Sequence, residues 1–390
     1  MSILDRIRTN AGAAGVTVQL LLLLLVEFVR GAFLVAYLPT YASEKLNFSL
    51  SVIGLAVSLH YLMDNGVKVF AGYLLDRFSS RNILFAGMML SLVSMLLVVN
   101  ARSEGLLLLS TALLGIGGSP VWLVCLRSIR ENNRASQMSL LYLFWMCGLA
   151  LGPVAMNFLM DMGEHLVFFS LVGLLAVCTL MSLAVPNVRH QQPSIRKSFA
   201  NQLKMLWERF TKTGFLLPGM ILQTTAGGLL IPLLSPFATK QIGLSHSELS
   251  LSLIAGGATA ALILVPAGRW VDKLGGRWFL IGGFGIFGIA VFALTFSDSF
   301  TETILFAMIL GASYASLLPA WNAYLARFVP EEYAGAGWGL ISTIEGIGVV
   351  AGPALGGWMA ERINEALPFW MAAVIFACIA CYYIIAKNEL

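Results

Sequence analysis

Apolar residues in this 390-residue chain come in long blocks, not as alternating positions or a one-sided helical stripe. A helix needs about 20 apolar residues to cross a hydrocarbon core roughly 30 Å thick. The blocks supply that length twelve times: 15–41, 49–75, 81–99, 105–128, 137–160, 165–186, 213–239, 248–271, 278–297, 302–328, 335–360 and 366–386. The pattern predicts an all-α polytopic membrane protein with twelve spans in two six-helix bundles. One stretch breaks it. Residues 187–212 carry six basic residues and one acid. They read either as an amphipathic surface helix, with Leu203, Leu206, Trp207 and Phe210 towards lipid, or as a plain basic linker. Either way they separate bundle 1–186 from bundle 213–390.

Composition sharpens this picture. Hydrophobic residues make up 58% and charged residues 11%, with a mean hydropathy of +0.83, against about 45–50% and about 25% in soluble proteins. A soluble globule, a disordered chain and a disulfide scaffold are all excluded. The net charge of +4 is not a nucleic-acid signature, because the basic residues fall in loops and at span ends. On the side holding both termini there are eighteen Lys and Arg; opposite them are only Lys45, Arg102, Lys240 and Arg362. The positive-inside rule therefore predicts cytoplasmic termini. The first helix lacks a small-residue cleavage site and reads as an uncleaved span. Five cysteines, all in apolar stretches, read as packing residues.

The halves repeat. Gly72, Asp76 and Arg81 recur 196 residues on as Gly268, Asp272 and Arg277. The same offset joins Gly115 to Gly311, and Tyr41-Ala42 to Phe237-Ala238. Gly148-x-x-x-Gly152-Pro153 recurs as Gly348-x-x-x-Gly352-Pro353. Duplicated halves with a midplane site describe a secondary transporter.

These loops resemble the signature of the major facilitator superfamily, G-x-x-x-D-R/K-x-G-R/K-R/K between the second and third spans. Gly72, Asp76, Arg77 and Arg81 match it, with Ser79 for the usual glycine; Gly268, Asp272, Lys273, Gly275 and Arg277 match it more closely. The resemblance implies twelve helices and a conformational latch, in which the acid caps a neighbouring helix start and pairs with a base across the halves. The Gly348 run also resembles an exporter motif, whose physical content is close helix packing and a proline bend. Four further stretches, LLLVEFVRG (23–31), SPVWLVCLRS (119–128), LYLFWMCGL (141–149) and SLLPAWNAYLARF (316–328), resemble the Gram-positive flippases for the lipoteichoic-acid anchor glycolipid. That resemblance implies a proton-coupled carrier of a disaccharide-headed diacylglycerol from inner to outer leaflet.

Charges inside the spans point the same way. Glu27 and Arg30 lie three apart, and His60, Asp64 and Lys68 four apart, so each set lines one helix face. A charge at the bilayer centre costs at least about 2.5–3.5 kcal/mol, so such faces normally border a watery cavity. The 196 offset maps these positions to Gln223, Ala226, Gly256, Ala260 and Leu264, none of them charged. One polar wall and one apolar wall suit an amphiphile, with headgroup against the first half and acyl chains against the second. Structural ion pairs are the competing reading. Asp64 is the first candidate proton carrier, with Glu27 and His60 beside it; Glu345 in the eleventh span, which has no base nearby in sequence, is the other.

Tryptophan faces can stack on sugars while the indole N–H donates. Trp122 and Trp145 in the fourth and fifth spans are expected to line the substrate site, and Trp321 and Asn322 in the tenth are weighed evenly against packing. No cofactor beyond protons, no nucleic acid, no metal and no catalysis are expected, and the chain is expected to act as a monomer. The main rival is a proton antiporter exporting amphiphilic drugs. A nutrient importer would want polar partners from both halves, and a membrane hydrolase would need a nucleophile or metal cluster beyond His60 and Asp64.

Overall fold

In a computed structural model, residues 3–128, 134–186, 208, 216–326 and 334–386 are described. Residues 187–212 therefore lie, apart from Glu208, outside the described residues. The chain divides into two compact units, Met1–Phe48 with Leu55–Gln192, and Ser49–Gly54 with Pro193–Leu390.

The first unit holds the first span (Ile3–Gly31, continuing through a π-helical stretch Ala32–Tyr37 to Leu38–Glu44) and, from Leu55 on, the second (Leu50–Arg77). The third to sixth spans follow as Ser80–Val99, Glu104–Arg127, Arg134–Met160 and Glu164–Ala184. In the second unit the seventh span is broken, Leu217–Leu230, then Leu234–Pro236 and a π-helical Phe237–Gln241. The eighth to twelfth are His246–Leu274, Arg277–Leu294, Phe300–Ala326, Ala334–Arg362 and Leu367–Ile385. Ten of these helices are long and apolar enough to cross a membrane, and the bent seventh pair makes an eleventh. The remaining one, Ala334–Arg362, is the glycine-rich helix that carries Glu345.

The seventh span departs from the single helix expected over 213–239. Its two parts meet at 50°. Pro232 and Pro236 supply no backbone N–H, and a proline ring clashes with the carbonyl four residues earlier, so the chain turns at Ile231–Leu233. Pro39 has the same effect in milder form on the first span. There the Leu38 N–H reaches back five residues to the Phe33 carbonyl, which widens the helix without breaking it.

The duplication is realised in packing. In the first unit the fifth span packs on the first, and the fourth and sixth on the third; in the second unit the eleventh packs on the seventh, and the tenth and twelfth on the ninth. Small residues permit these approaches. A side chain at Gly148 would meet the Leu24 carbonyl, and one at Gly152 the Phe28 carbonyl. Their counterparts Gly348 and Gly352 lie against Ile221, Thr225 and Gly228. Gly115 lies against the His60 carbonyl, and Gly311, 196 residues on, lies against the carbonyl of Gly256, itself 196 residues after His60.

The signature loops show the same twofold logic. Arg81 Nε donates to the Val185 carbonyl at 3.2 Å, at the end of the sixth span. Arg277 Nη2 donates to the Ile384 carbonyl at 2.8 Å, at the end of the twelfth. A cation at a helix C-terminus satisfies orphan carbonyls and favours the helix dipole. Arg81→Ala and Arg277→Ala are each expected to lower thermal stability in detergent by about 0.5–1.5 kcal/mol. Unchanged unfolding midpoints in both variants would show that these bonds hold nothing.

Candidate functional site

The second span aims Tyr61, Asp64, Asn65 and Lys68 along one face, and the first span brings Glu27 and Arg30 to it. Arg30 Nη2 is 2.5 Å from Glu27 Oε2, and Arg30 Nη1 is 3.3 Å from Asp64 Oδ2. The same Asp64 oxygen receives Lys68 Nζ at 3.1 Å, and that ammonium also donates to Asn65 Oδ1 at 3.0 Å. Two carboxylates and two cations thus form one neutral chain across two helices. Glu27 and Asp64 are each 5% exposed, so pairing is what makes their burial tolerable. The Arg30 guanidinium also lies 5.9 Å from the centroid of the Tyr61 ring, a cation–π contact.

His60 sits one turn from Asp64 and is buried. Its Nδ1 lies 3.3 Å from the Thr111 carbonyl; a carbonyl only accepts, so that nitrogen carries the proton. Nε2 is then an acceptor, buried and without a partner. Glu27, Arg30, His60 and Asp64 line an internal cavity with Ser91 and Gly115, and the Ser91 hydroxyl is likewise unpartnered. Four of the residues singled out in the sequence therefore meet in one place. Ser91 and Tyr61 belong to the same place and were not singled out. For Tyr61 the signal was available: it lies three residues before Asp64 on the charged face.

Trp122 and Trp145 take a different position. With Tyr142 they form an edge-on aromatic cluster, ring centroids 5.3–6.4 Å apart, packed on buried residues such as Leu22, Leu75 and Val121. Neither lines the cavity around Asp64. Both are half-buried. Tyr142, one turn before Trp145, completes the cluster and was missed in the sequence.

The second unit builds its own polar cluster. Glu345 Oε1 accepts from Gln223 Nε2 at 3.3 Å and from Trp321 Nε1 at 3.4 Å. Gln223 is the repeat counterpart of Glu27. The ring of Trp321 belongs to the core, 4% exposed and flanked by Phe284 and Tyr383 at centroid distances of 6.0 and 6.4 Å. A sugar-stacking face is therefore not what Trp321 offers; it offers its N–H. Asn322, next in sequence, is exposed on another side of the helix.

Asp76 stands in the last turn of the second span, and Ser79 caps the third span, its hydroxyl accepting from the Asn82 N–H at 3.2 Å. The Asp76 side chain is outside the described residues. In the second copy Asp272 and Lys273 likewise end the eighth span, and Gly275 makes the turn at φ +84°, a conformation that favours glycine. Gly72 contributes its carbonyl: Arg127, at the end of the fourth span, donates to Gly72 at 3.2 Å and to Leu75 at 2.7 Å. A Cβ added at Gly268 would stand 3.9 Å from the Pro319 side chain. Arg77 is exposed.

The sequence profile of the Major Facilitator Superfamily matches residues 20–222 and again 216–389, one match per half. The chain belongs to the major facilitator superfamily. Among its relatives in the superfamily is the proton-coupled antiporter flippase LtaA of Staphylococcus saprophyticus, 30% identical over 375 residues, covering 94% of this chain and 92% of that protein. LtaA of Staphylococcus aureus strain N315 is also 30% identical, covering 94% and 93%. Solved structures share the superfamily fold at lower identity. The nucleoside transporter NupG superposes with a TM-score of 0.77 at 13% identity, covering 96% of this chain and 99% of that one. A bacterial homologue of the human lysosomal transporter Spinster, in an inward-facing, unoccupied conformation, gives 0.77 at 16%, covering 97% of each.

Proposed function

We propose that this transporter is a proton-coupled flippase. It moves a glycolipid anchor, a disaccharide-headed diacylglycerol, from the inner to the outer leaflet of the cell membrane by alternating access. The observation that carries the reading is the Glu27–Arg30–Asp64–Lys68 chain, buried in the first unit of a protein 30% identical over nearly its whole length to proton-coupled antiporter flippases. Charge balance is the reason this network suits a neutral headgroup: sugar hydroxyls can exchange with its hydrogen bonds without leaving a net charge in the membrane. The acyl chains take the apolar side offered by the second half.

Protons enter this scheme at Asp64. One oxygen, Oδ2, holds both Arg30 and Lys68, so a proton on that carboxyl releases two cations from two helices at once. His60, whose Nε2 is an unpartnered acceptor, lines the same cavity, which supports a role in passing the proton on. Glu27 then remains the sole anion beside Arg30. Glu345 is a second protonatable group in the other unit. Paired signature loops at equivalent positions serve the conformational change, with Asp76 and Asp272 as latch acids. The termini are cytoplasmic in this reading, which the distribution of basic residues supports; protons are the coupling ion, no other cofactor is needed, and the monomer is the working unit.

Thin-layer chromatography of lipids copurifying with the protein is the direct test. Glycosyl-diacylglycerol is expected at near-stoichiometric amounts, and fluorescent glycolipid in reconstituted vesicles is expected to be flipped. Vesicles that flip no glycolipid, or that move phosphatidylglycerol equally well, would remove the glycolipid from the proposal.

A further inference from the structure

A serine inside a helix can give its hydrogen to a carbonyl of its own helix, and Ser110, Ser119 and Ser182 do so. Ser91, in the third span, does not. It is 2% exposed, and its hydroxyl makes no hydrogen bond with the protein. His60 in the second span, also 2% exposed, repeats the situation: the Thr111 carbonyl holds Nδ1, and Nε2 has no protein partner. Arg30 Nε, from the first span, is a third such atom. All three residues line one cavity, so unmet donors and acceptors from three helices converge on a single space.

Leaving a buried polar atom unmet costs the desolvation of that group, and native structures rarely tolerate it. Three such atoms around one space call for a molecule that both donates and accepts. The cavity volume, about 20 Å³, exceeds the roughly 10–15 Å³ that admits one water. A sugar ring is far too large for it. An ammonium ion cannot accept from Arg30 Nε, and the guanidinium repels a metal ion. Water can donate to His60 Nε2, accept from Arg30 Nε and take either role with Ser91. The fourth span keeps the room clear: a Cβ at Gly118, in the cavity wall, would meet nothing within 4 Å.

We propose that Ser91, His60 and Arg30 hold an internal water in the first unit, and that this water carries the proton between Asp64 and His60. Ser91 is then a positioning residue, acting through the water. Asp64 lines the same cavity, and both of its cations take Oδ2, which leaves Oδ1 for the exchange. As the O–H bond of protonated Asp64 breaks towards the water oxygen, one of the water's own O–H bonds breaks towards Nε2. The products are the carboxylate, a water and an imidazolium. Titratable and charged groups reach His60 from the first span, as Glu27 and Arg30, and from its own span, as Tyr61, Asp64 and Lys68; the third, fourth and sixth spans bring none to the cavity. The route rests on the flippase reading; the water site does not.

A structure of the full-length protein at a resolution that shows ordered water tests the site. A water within hydrogen-bond distance of both His60 Nε2 and Ser91 Oγ is expected, and its absence overturns the site. The route is tested with fluorescent glycolipid in proteoliposomes under an acid exterior. Ser91→Ala, which removes the hydroxyl, and Gly118→Val, which fills the space with carbon, are each expected to lower the acid-stimulated rate about tenfold with little change in the KM for glycolipid. Thermal unfolding is expected to show Gly118→Val folded, since its Cβ displaces no backbone; Gly118→Ala adds a single carbon and serves if valine does not fold. Gly105→Val, on the same span but exposed and outside the cavity, is expected to match the wild type. Native acid stimulation in folded Gly118→Val overturns the route. A rise in KM that accounts for the whole loss makes Ser91 a headgroup contact and overturns it equally. A wild type that flips no glycolipid removes the flippase reading and the route with it, while the density decides the water site alone.

Discussion

Asp64→Asn is expected to abolish the acceleration of glycolipid flipping by an acid exterior, and to lower the driven rate by about tenfold or more. The side chain sits where one oxygen is shared by Arg30 at 3.3 Å and Lys68 at 3.1 Å. Two unit charges about 4 Å apart attract by about 4 kcal/mol at an effective dielectric constant near 20, so discharging that oxygen changes two large interactions together. Asparagine imitates the protonated acid in shape and neutrality but cannot give the proton up. The variant therefore holds Arg30 on Glu27 alone and Lys68 on Asn65, whatever the pH on either side. In the proposed function glycolipid moves from the inner to the outer leaflet, so outward flipping driven by inward protons is the direction that coupling would serve. Fluorescent glycolipid in proteoliposomes, with the outer pH lowered, reads the effect. Asp64→Glu is expected to retain a reduced response, and Glu27→Gln to slow flipping while keeping some pH dependence. If wild-type flipping ignores the gradient, the carrier works by facilitated diffusion and Asp64 is a structural partner of Arg30 and Lys68.

That network also shows where sequence spacing stops being informative. Spacing of three or four places residues on one face of one helix, and on that basis Glu27–Arg30 and Asp64–Lys68 were the visible pairs. The link that joins them, Arg30 to Asp64, depends on how two helices face one another, which no spacing reports. The same limit applies to Glu345, whose partners Gln223 and Trp321 lie 122 and 24 residues away. Offset arithmetic did better with glycines than with tryptophans. Glycine at a close helix crossing has no substitute, so Gly115 and Gly311 kept both place and partner through the duplication. Trp122 and Trp321 kept their place after a proline but not their surroundings; one joins Tyr142 and Trp145, the other is enclosed by Phe284 and Tyr383. The break in the seventh span was written in Gly227, Gly228, Pro232 and Pro236, yet the hydropathy of the segment outweighed them in the expectation of one straight helix. Loop chemistry was hidden by a similar dominance: Ser79 looked like a missing glycine of the signature and proves to be the cap of the third span.

Gly115→Ala is expected to damage both stability and transport, whereas Gly311→Ala is expected to damage stability with less effect on the charge network. A Cβ at Gly115 would overlap the His60 carbonyl and come within 3.2 Å of the Asp64 N–H nitrogen. Backbone atoms inside a helix cannot rotate aside, so the second span must shift as a body, carrying His60 and Asp64 with it. Overpacking of this kind costs about 1–3 kcal/mol, and more where backbone must move. At Gly311 the obstacle is the Gly256 carbonyl, with the same geometry at the equivalent crossing, but the displaced helix has Ala260 and Leu264 where the second span has Asp64 and Lys68. The pair therefore separates the steric effect, which both share, from the electrostatic one, which only the first unit feels. Unfolding midpoints in detergent are expected to fall in both variants. Acid-stimulated flipping, normalised to folded protein, is expected to collapse in Gly115→Ala and to persist in Gly311→Ala. Equal loss in both would mean that transport depends on the helix crossings themselves and not on the position of Asp64, and a native Gly115→Ala would show that the two spans do not approach so closely.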